Sequence, residues 1–237
     1  MNIVLDTNIL QKEGLHSANM SLLCRLSRES EVFVYIPEIV KREYLSQIDF
    51  KLRSKQTVGN SSELTKFYKD NHSVLKRIAR AENYVNALYI RNKEASEIVF
   101  KNWLDENSFV VRLIDKNDYK RVLDAYFDGT RGFRSVKHRP DFPDAFIYES
   151  INNIKEEEGG VVAVIGDGPF KNLVKERLNV SCFDSLSSLM EEKQIKEKIA
   201  NLDNSERLFK ILCHRLIITK PSAHRVGPQN GSRVAIV

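Results

Sequence analysis

Four acidic residues stand where a carboxylate is costly unless it does something. Asp6 ends the apolar run "NIVL" and is followed at once by Thr7 and Asn8, while Asp167 ends the run "GGVVAVIGD". In an open α/β sheet, binding sites form beyond the carboxyl ends of parallel strands, so two acids in those places share one sheet edge. Glu43 lies in "PEIVKREYL", four residues after Ile39 and three after Val40, on the helical face those residues bury. Asp144 stands in the first turn of "PDFPDAFIYESINNI", and Ile147, Tyr148 and Ile151 continue its own face. Each acid alone has a plain explanation. Asp6 and Asp167 can cap helices, Asp144 can complement a helix dipole, and Glu43 can pair with a neighbouring Lys or Arg. Gathered in one cleft, the four repel one another and persist only if cations hold them. Ligation by oxygen alone suits Mg²⁺ or Mn²⁺ rather than zinc.

A second feature with chemical potential is the loop "RGFRSVKHR", in which Arg131, Arg134, Lys137, His138 and Arg139 surround Gly132 and Phe133. Such a loop can grip a phosphate backbone and stack a base on its aromatic ring. A merely solvated basic loop is the competing reading. Asp141, just behind it, is read as a turn residue or a salt-bridge partner of Arg139, with an additional metal ligand as the alternative. The five histidines, His16, His72, His138, His214 and His224, show no pairing suited to acid–base catalysis. "GDGPF" lacks the Gly-x-Gly-x-x-Gly spacing of a dinucleotide site.

The elements that must position these groups follow from the hydrophobic pattern. Asn2–Leu5 and "VFVYI" (Val32–Ile36) read as buried strands with an amphipathic helix between them, a β-α-β unit and hence a parallel sheet. Pro37 suits the first position of a long helix, and a Gly-Asn-Ser-Ser turn breaks it within 57–62. From about 51 to 106 the charged, loosely periodic sequence reads as a helical arm or insertion. "FVVRLI" is a strand or a connection into the helix around "DYKRVLDAYF". A helix begins at Pro143, "GGVVAVIGD" is a strand, and the helix "FKNLVKERL" and the strand "VSCF" follow. Residues 186–220 read as a helical extension and 221–237 as a loose tail.

With 237 residues and 42% hydrophobic content, the chain can bury one substantial core without needing a second. Cys24, Cys182 and Cys213 have neither disulfide nor zinc spacing, which fits a reducing cytosol. Nowhere do about 18 apolar residues run together, so a soluble, unexported, cytoplasmic protein is expected. The net charge of +5 permits a polyanionic partner without requiring one.

Taken in order, "VLDTNIL" with Asp6, "PEIVKREYL" with Glu43, "DFPDAFIYESI" with Asp144 and "VVAVIGDGPF" with Asp167 resemble the PIN-domain nucleases over residues 1–185. The long helical segment before "RPDFPDAF" looks like a bacterial subgroup with an enlarged helical insertion. The resemblance implies a three-layer α/β/α sandwich on a central parallel sheet. Its acidic cluster would bind one or two Mg²⁺ or Mn²⁺ ions and hydrolyse phosphodiester bonds, in RNA more often than DNA. Asp6 and Asp167 are then the foremost ligands, Asp144 a further one, and Glu43 a ligand or water positioner. Thr7 and Asn8 would orient the first aspartate or touch phosphate. A departure is that Ile165 and Gly166 precede Asp167 where many members carry Ser or Thr. The expected activity is a metal-dependent endoribonuclease, in a toxin–antitoxin or defence system, with a protein partner or inhibitor and self-association both open. The alternatives are a flap-type DNA nuclease, with the arm as its arch, and a non-catalytic nucleic-acid-binding module, against which the intact set of four acids argues.

Overall fold

The computed structural model describes residues 1–55 and 61–218. Of the turn expected at 57–62, residues 57–60 lie outside the described residues, as does the tail from 221 onward, while Ser61 and Ser62 open a helix rather than a turn. The chain divides into two compact units, Met1–Lys196 and Glu197–Val237.

The first unit is built on a five-stranded parallel sheet. The chain begins with β1 (Asn2–Leu5), α1 (Thr7–Glu13), α2 (Ala18–Arg28) and β2 (Phe33–Pro37). It then makes the helical excursion α3 (Glu38–Lys55), α4 (Ser61–Phe67) and α5 (His72–Glu106) before β3 (Val110–Arg112). After α6 (Lys116–Asp128), a 3-10 turn (Arg139–Asp141) leads into α7 (Phe142–Glu158), β4 (Val161–Val164), α8 (Gly168–Leu178) and β5 (Ser181–Phe183). The unit ends with α9 (Leu186–Met190) and the start of α10 (Lys193–Ile218). In the second unit the described residues are the remainder of that helix.

The strand order is β3-β2-β1-β4-β5, with Val4 beside Tyr35 on one side and Ala163 on the other. The chain winds outward from β1 to β3, then returns to lay β4 against the free side of β1. A doubly wound sheet reverses direction at that point, and the reversal leaves a crevice beyond the carboxyl ends of the two strands. The strands are apolar on both sides because helices cover both faces: Ile3, Leu5, Val34, Ile36, Ala163 and Val164 are all fully buried. The result is the expected three-layer α/β/α arrangement.

Two local boundaries differ from the sequence reading. Pro37 closes β2 and α3 starts one residue later, because Pro37 pairs with Arg112 in the ladder to β3. Asp6 is followed at once by α1, a helix too short and too polar at its start to show in the hydrophobic pattern.

The arm is a helical hairpin of α3 and α5. Its base is an aromatic cluster: Tyr44 lies 4.7 Å from Phe100, Phe100 stacks on Trp103 at 5.8 Å, and Trp103 meets Phe109 edge-to-face at 4.9 Å, ring centre to ring centre. Farther out, Arg53 donates to the Tyr89 hydroxyl at 2.8 Å, and that hydroxyl donates in turn to Asp49. Asn71 caps α5 by accepting from Val74 N. No helix among the described residues is long and apolar enough to cross a membrane.

Candidate active site

Asp6 emerges from β1 directly into the crevice, anchored by its own N–H, which donates to Val164 O of β4 at 3.0 Å. One carboxylate oxygen, Oδ1, accepts from Thr7 N at 2.6 Å and caps α1. The other accepts from Asn8 Nδ2 at 3.3 Å, and Gly166 N–H also reaches the carboxylate. Despite these donors, burial dominates and lifts the Asp6 carboxyl to about 6, with the Glu43 carboxylate adding to the rise. Gly166 has a steric reason to be glycine, since a Cβ there would stand 2.9 Å from Asn8 Cβ. The same closeness explains why no Ser or Thr precedes Asp167.

The remaining acids approach from other elements. Thr7 Oγ1 donates to Glu43 Oε2 at 2.5 Å, so the hydroxyl next to Asp6 fixes the carboxylate on α3. Asp167 caps α8 by accepting from Phe170 N at 2.8 Å. The helix-capping explanation is thus realised for both strand-end aspartates, and capping engages a single oxygen of Asp167. Asp144, in the first turn of α7, carries a carboxyl raised to about 7. Burial is the largest cause; the Asp6, Asp167 and Asp141 carboxylates add to it, and Arg134 opposes it. These groups therefore feel one another as a shared negative field short of compensating charge. Hard, oxygen-only donors in such a field suit a divalent cation. Among the described residues, no three His, Cys, Asp or Glu side chains stand in metal-ligating geometry.

Three basic residues of the loop are tied to buried acids, although all five keep part of their surface exposed. Arg131 donates to Glu149 Oε1 at 2.7 Å, and Arg134 holds Asp141 through both its backbone N–H, at 2.8 Å, and its guanidinium. His138 Nδ1 lies 2.9 Å from the other side of Asp141. Asp141 therefore pairs with Arg134 and His138 rather than Arg139, because the backbone turn at 134 brings that residue's N–H onto the carboxylate. Burial raises the Asp141 carboxyl, but Arg134 and His138 outweigh it and keep it below the usual range. With both oxygens engaged and no exposed surface, Asp141 is a clasp. Phe133 is likewise fully buried, packed with Val122, Ala125 and Ala145, so the expected base stacking on its ring is corrected. Lys137 lies over the Phe127 ring at 5.8 Å, and Arg139 is exposed.

What the sequence reading missed is a buried polar network behind the clasp. Glu149, fully buried on α7, accepts from both Arg131 and Arg121. Arg121 also reaches Asp118 and Asn153, and Asn153 donates to Asp118 at 2.7 Å. The available signal was Glu149 itself, an acid set among the buried residues Ile147, Tyr148 and Ile151. Glu149→Leu should lower stability by about 3 kcal/mol, because it takes the acid from half-buried Arg131 and leaves Arg121 only Asp118 and Asn153. Glu149→Gln should cost less, since it keeps acceptors. Denaturant titration of both variants checks the order.

Comparison with known proteins agrees with the geometry. No curated protein and no solved structure matches the chain. The model of the PIN domain family matches residues 3–170, from β1 into the first turn of α8, and so takes in all four acids. A match over most of the chain, on a parallel α/β/α sheet with acids at its switch point, places this protein in the PIN-domain family.

Proposed function

We propose that the protein is a divalent-metal-dependent endonuclease whose preferred substrate is RNA. The observation that carries this reading is the pair of carboxyls at the β1–β4 crevice, buried Asp6 and half-buried Asp144, raised to about 6 and 7. Nuclease activity in general follows from the family; the metal, the residues and the substrate are our inference. Asp6, Asp144 and Asp167 would hold Mg²⁺ or Mn²⁺, with Glu43 as a fourth ligand or as the group that positions water. The ion would supply a hydroxide nucleophile at neutral pH and neutralise charge on the phosphodiester. Asn8 and Gly166 keep Asp6 pointed into the crevice, and Thr7 does the same for Glu43. The Arg134–Asp141 pair holds the turn that delivers Asp144. Arg139 and Lys137, on the outer side of that turn, are the loop residues left to meet the substrate backbone.

The test is cleavage of end-labelled single-stranded RNA, single-stranded DNA and a DNA flap, with Mn²⁺, with Mg²⁺ and with chelator. Metal-dependent cutting of RNA supports the reading in full. Cutting of the flap alone replaces RNA by DNA, and no cutting of any substrate at millimolar metal overturns the enzyme. If the setting is a toxin–antitoxin or defence system, expression of the active chain should arrest growth.

A further inference from the structure

The arm carries charge out of proportion to its length. Residues 51–93 hold ten Lys and Arg against three Asp and Glu, a surplus of seven in a chain whose net charge is +5. The distribution on α5 is ordered. Arg77, Tyr84 and Arg91 recur at seven-residue intervals, and Arg80 and Ala87 fill the turns between them, so the five form one stripe along the helix.

All five side chains of the stripe are exposed, Tyr84 by 66%. The half-buried Ile78, Val85 and Tyr89 lie on another face of the helix, where Tyr89 meets Arg53 of α3. The stripe is therefore turned away from α3, and the small Ala87 leaves the Tyr84 ring open on one side. In the segment joining α3 to α5, a second exposed aromatic, Phe67, packs edge-on against Tyr68 beside Lys66 and Lys69.

Arginines in a row with an exposed ring among them complement a polyanion whose bases are free to stack. Duplex nucleic acid hides its base faces, whereas a single strand offers them, and stacking on an aromatic side chain tolerates any sequence. We propose that this outer stripe of α5 is a docking surface for single-stranded nucleic acid, holding the substrate away from the acidic crevice. The proposal rests on the nucleic-acid reading above and adds where the strand is held. At 1.5 Å per residue the stripe is about 21 Å long, and its near end, Arg91, is about 14 Å along the helix from Phe100 at the arm's base. At about 3.4 Å per nucleotide, a trinucleotide cannot cover the stripe, whereas a strand of about twenty nucleotides exceeds its length several-fold.

The experiment measures fluorescence anisotropy of labelled single-stranded RNA and DNA of about 20 nucleotides, and of a DNA duplex of the same length, across a KCl series, with the full chain in chelator. The wild type is compared with R77Q/R80Q/R91Q and with Tyr84→Ala. The triple variant should bind at least about tenfold more weakly, with the slope of log K against log salt reduced by about 2. Tyr84→Ala should weaken binding by about fivefold or more with the slope unchanged, because stacking releases no counterions. Unchanged affinity in either variant overturns the proposal, as does a wild-type preference for duplex over single strand. Circular dichroism confirms that the helix persists in both variants. Because binding is read without catalysis, failure of the nuclease reading leaves this result intact. Conversely, if the stripe variants cut a trinucleotide at the wild-type rate but lose the longer strand, the two sites are separated.

Discussion

Asp6→Asn should abolish cleavage and yet make the protein more stable at pH 8. The Asp6 carboxyl sits at about 6 in the folded chain against an ordinary value of 3.8, so the folded state holds its proton more tightly than the unfolded state. A group of that kind contributes stability below about pH 4 and loses it as pH rises through 6. Above that pH the buried charge costs about 3 kcal/mol. Asparagine removes the charge while keeping an oxygen for Thr7 N. The variant should therefore gain about 1–3 kcal/mol at pH 8, a rise in Tm of roughly 3–10 °C for a chain of this size. The gain should fade as pH falls through 6 and be gone near pH 4. Asp144, at about 7, adds the same sign over a window that ends slightly higher. Asp141 has the opposite sign: its pairing with Arg134 stabilises above the ordinary carboxylate range and is lost in acid.

Cation binding should change this balance. Mg²⁺ or Mn²⁺ binding only to the folded state should raise the Tm of the wild type in proportion to the logarithm of its concentration, and should leave Asp6→Asn unmoved. Cleavage by the variant should be lost, because the ion that would generate the nucleophile loses a direct ligand. Differential scanning calorimetry at pH 5 and pH 8, with and without metal, together with the cleavage assay, reads all of these. A variant less stable than wild type at pH 8, or one that still cuts, would show that Asp6 is simply a helix cap.

Gly132→Ala should be the most damaging glycine-to-alanine change among the described residues. A Cβ at that position would stand 2.3 Å from Ala145 Cα, 2.7 Å from Ala145 N and 2.9 Å from Asp144 O. All three are backbone atoms, so no side chain can rotate aside; the loop or the start of α7 must move. Overpacking of this kind costs about 3 kcal/mol or more, a fall in Tm of roughly 6–12 °C. The displaced segment includes Asp144, so cation-induced stabilisation should shrink as well. Gly160→Ala is the control, because nothing lies within 4 Å of its added methyl, and it should melt with the wild type. A Gly132→Ala protein as stable as the control would mean that loop and helix can slide past each other.

Much of the site was legible in the sequence because strand ends are marked by chemistry as well as by pattern. The runs "NIVL" and "GGVVAVIGD" end in acids, and parallel strands put such ends on one edge whatever the rest of the chain does. Glu43 and Asp144 stood out because helical periodicity turned each toward apolar neighbours. Partner choice among the charges was not legible. Arg131, Arg134 and Arg139 look equivalent in sequence, and only the fold sets the first against Glu149, the second against Asp141, and leaves the third in solvent.

By itself, then, the sequence determined the class of fold, the edge of the sheet where carboxylates gather, and the helical arm, since all three follow from local period and composition. The tertiary structure decided the strand order, the crevice between β1 and β4, and the fate of the basic loop. Those depend on which distant groups meet: the Cβ-free approach of Gly132 to Ala145, the burial of Phe133, and the ion pairs that a sequence cannot rank because Coulomb attraction depends on distance and not on order along the chain.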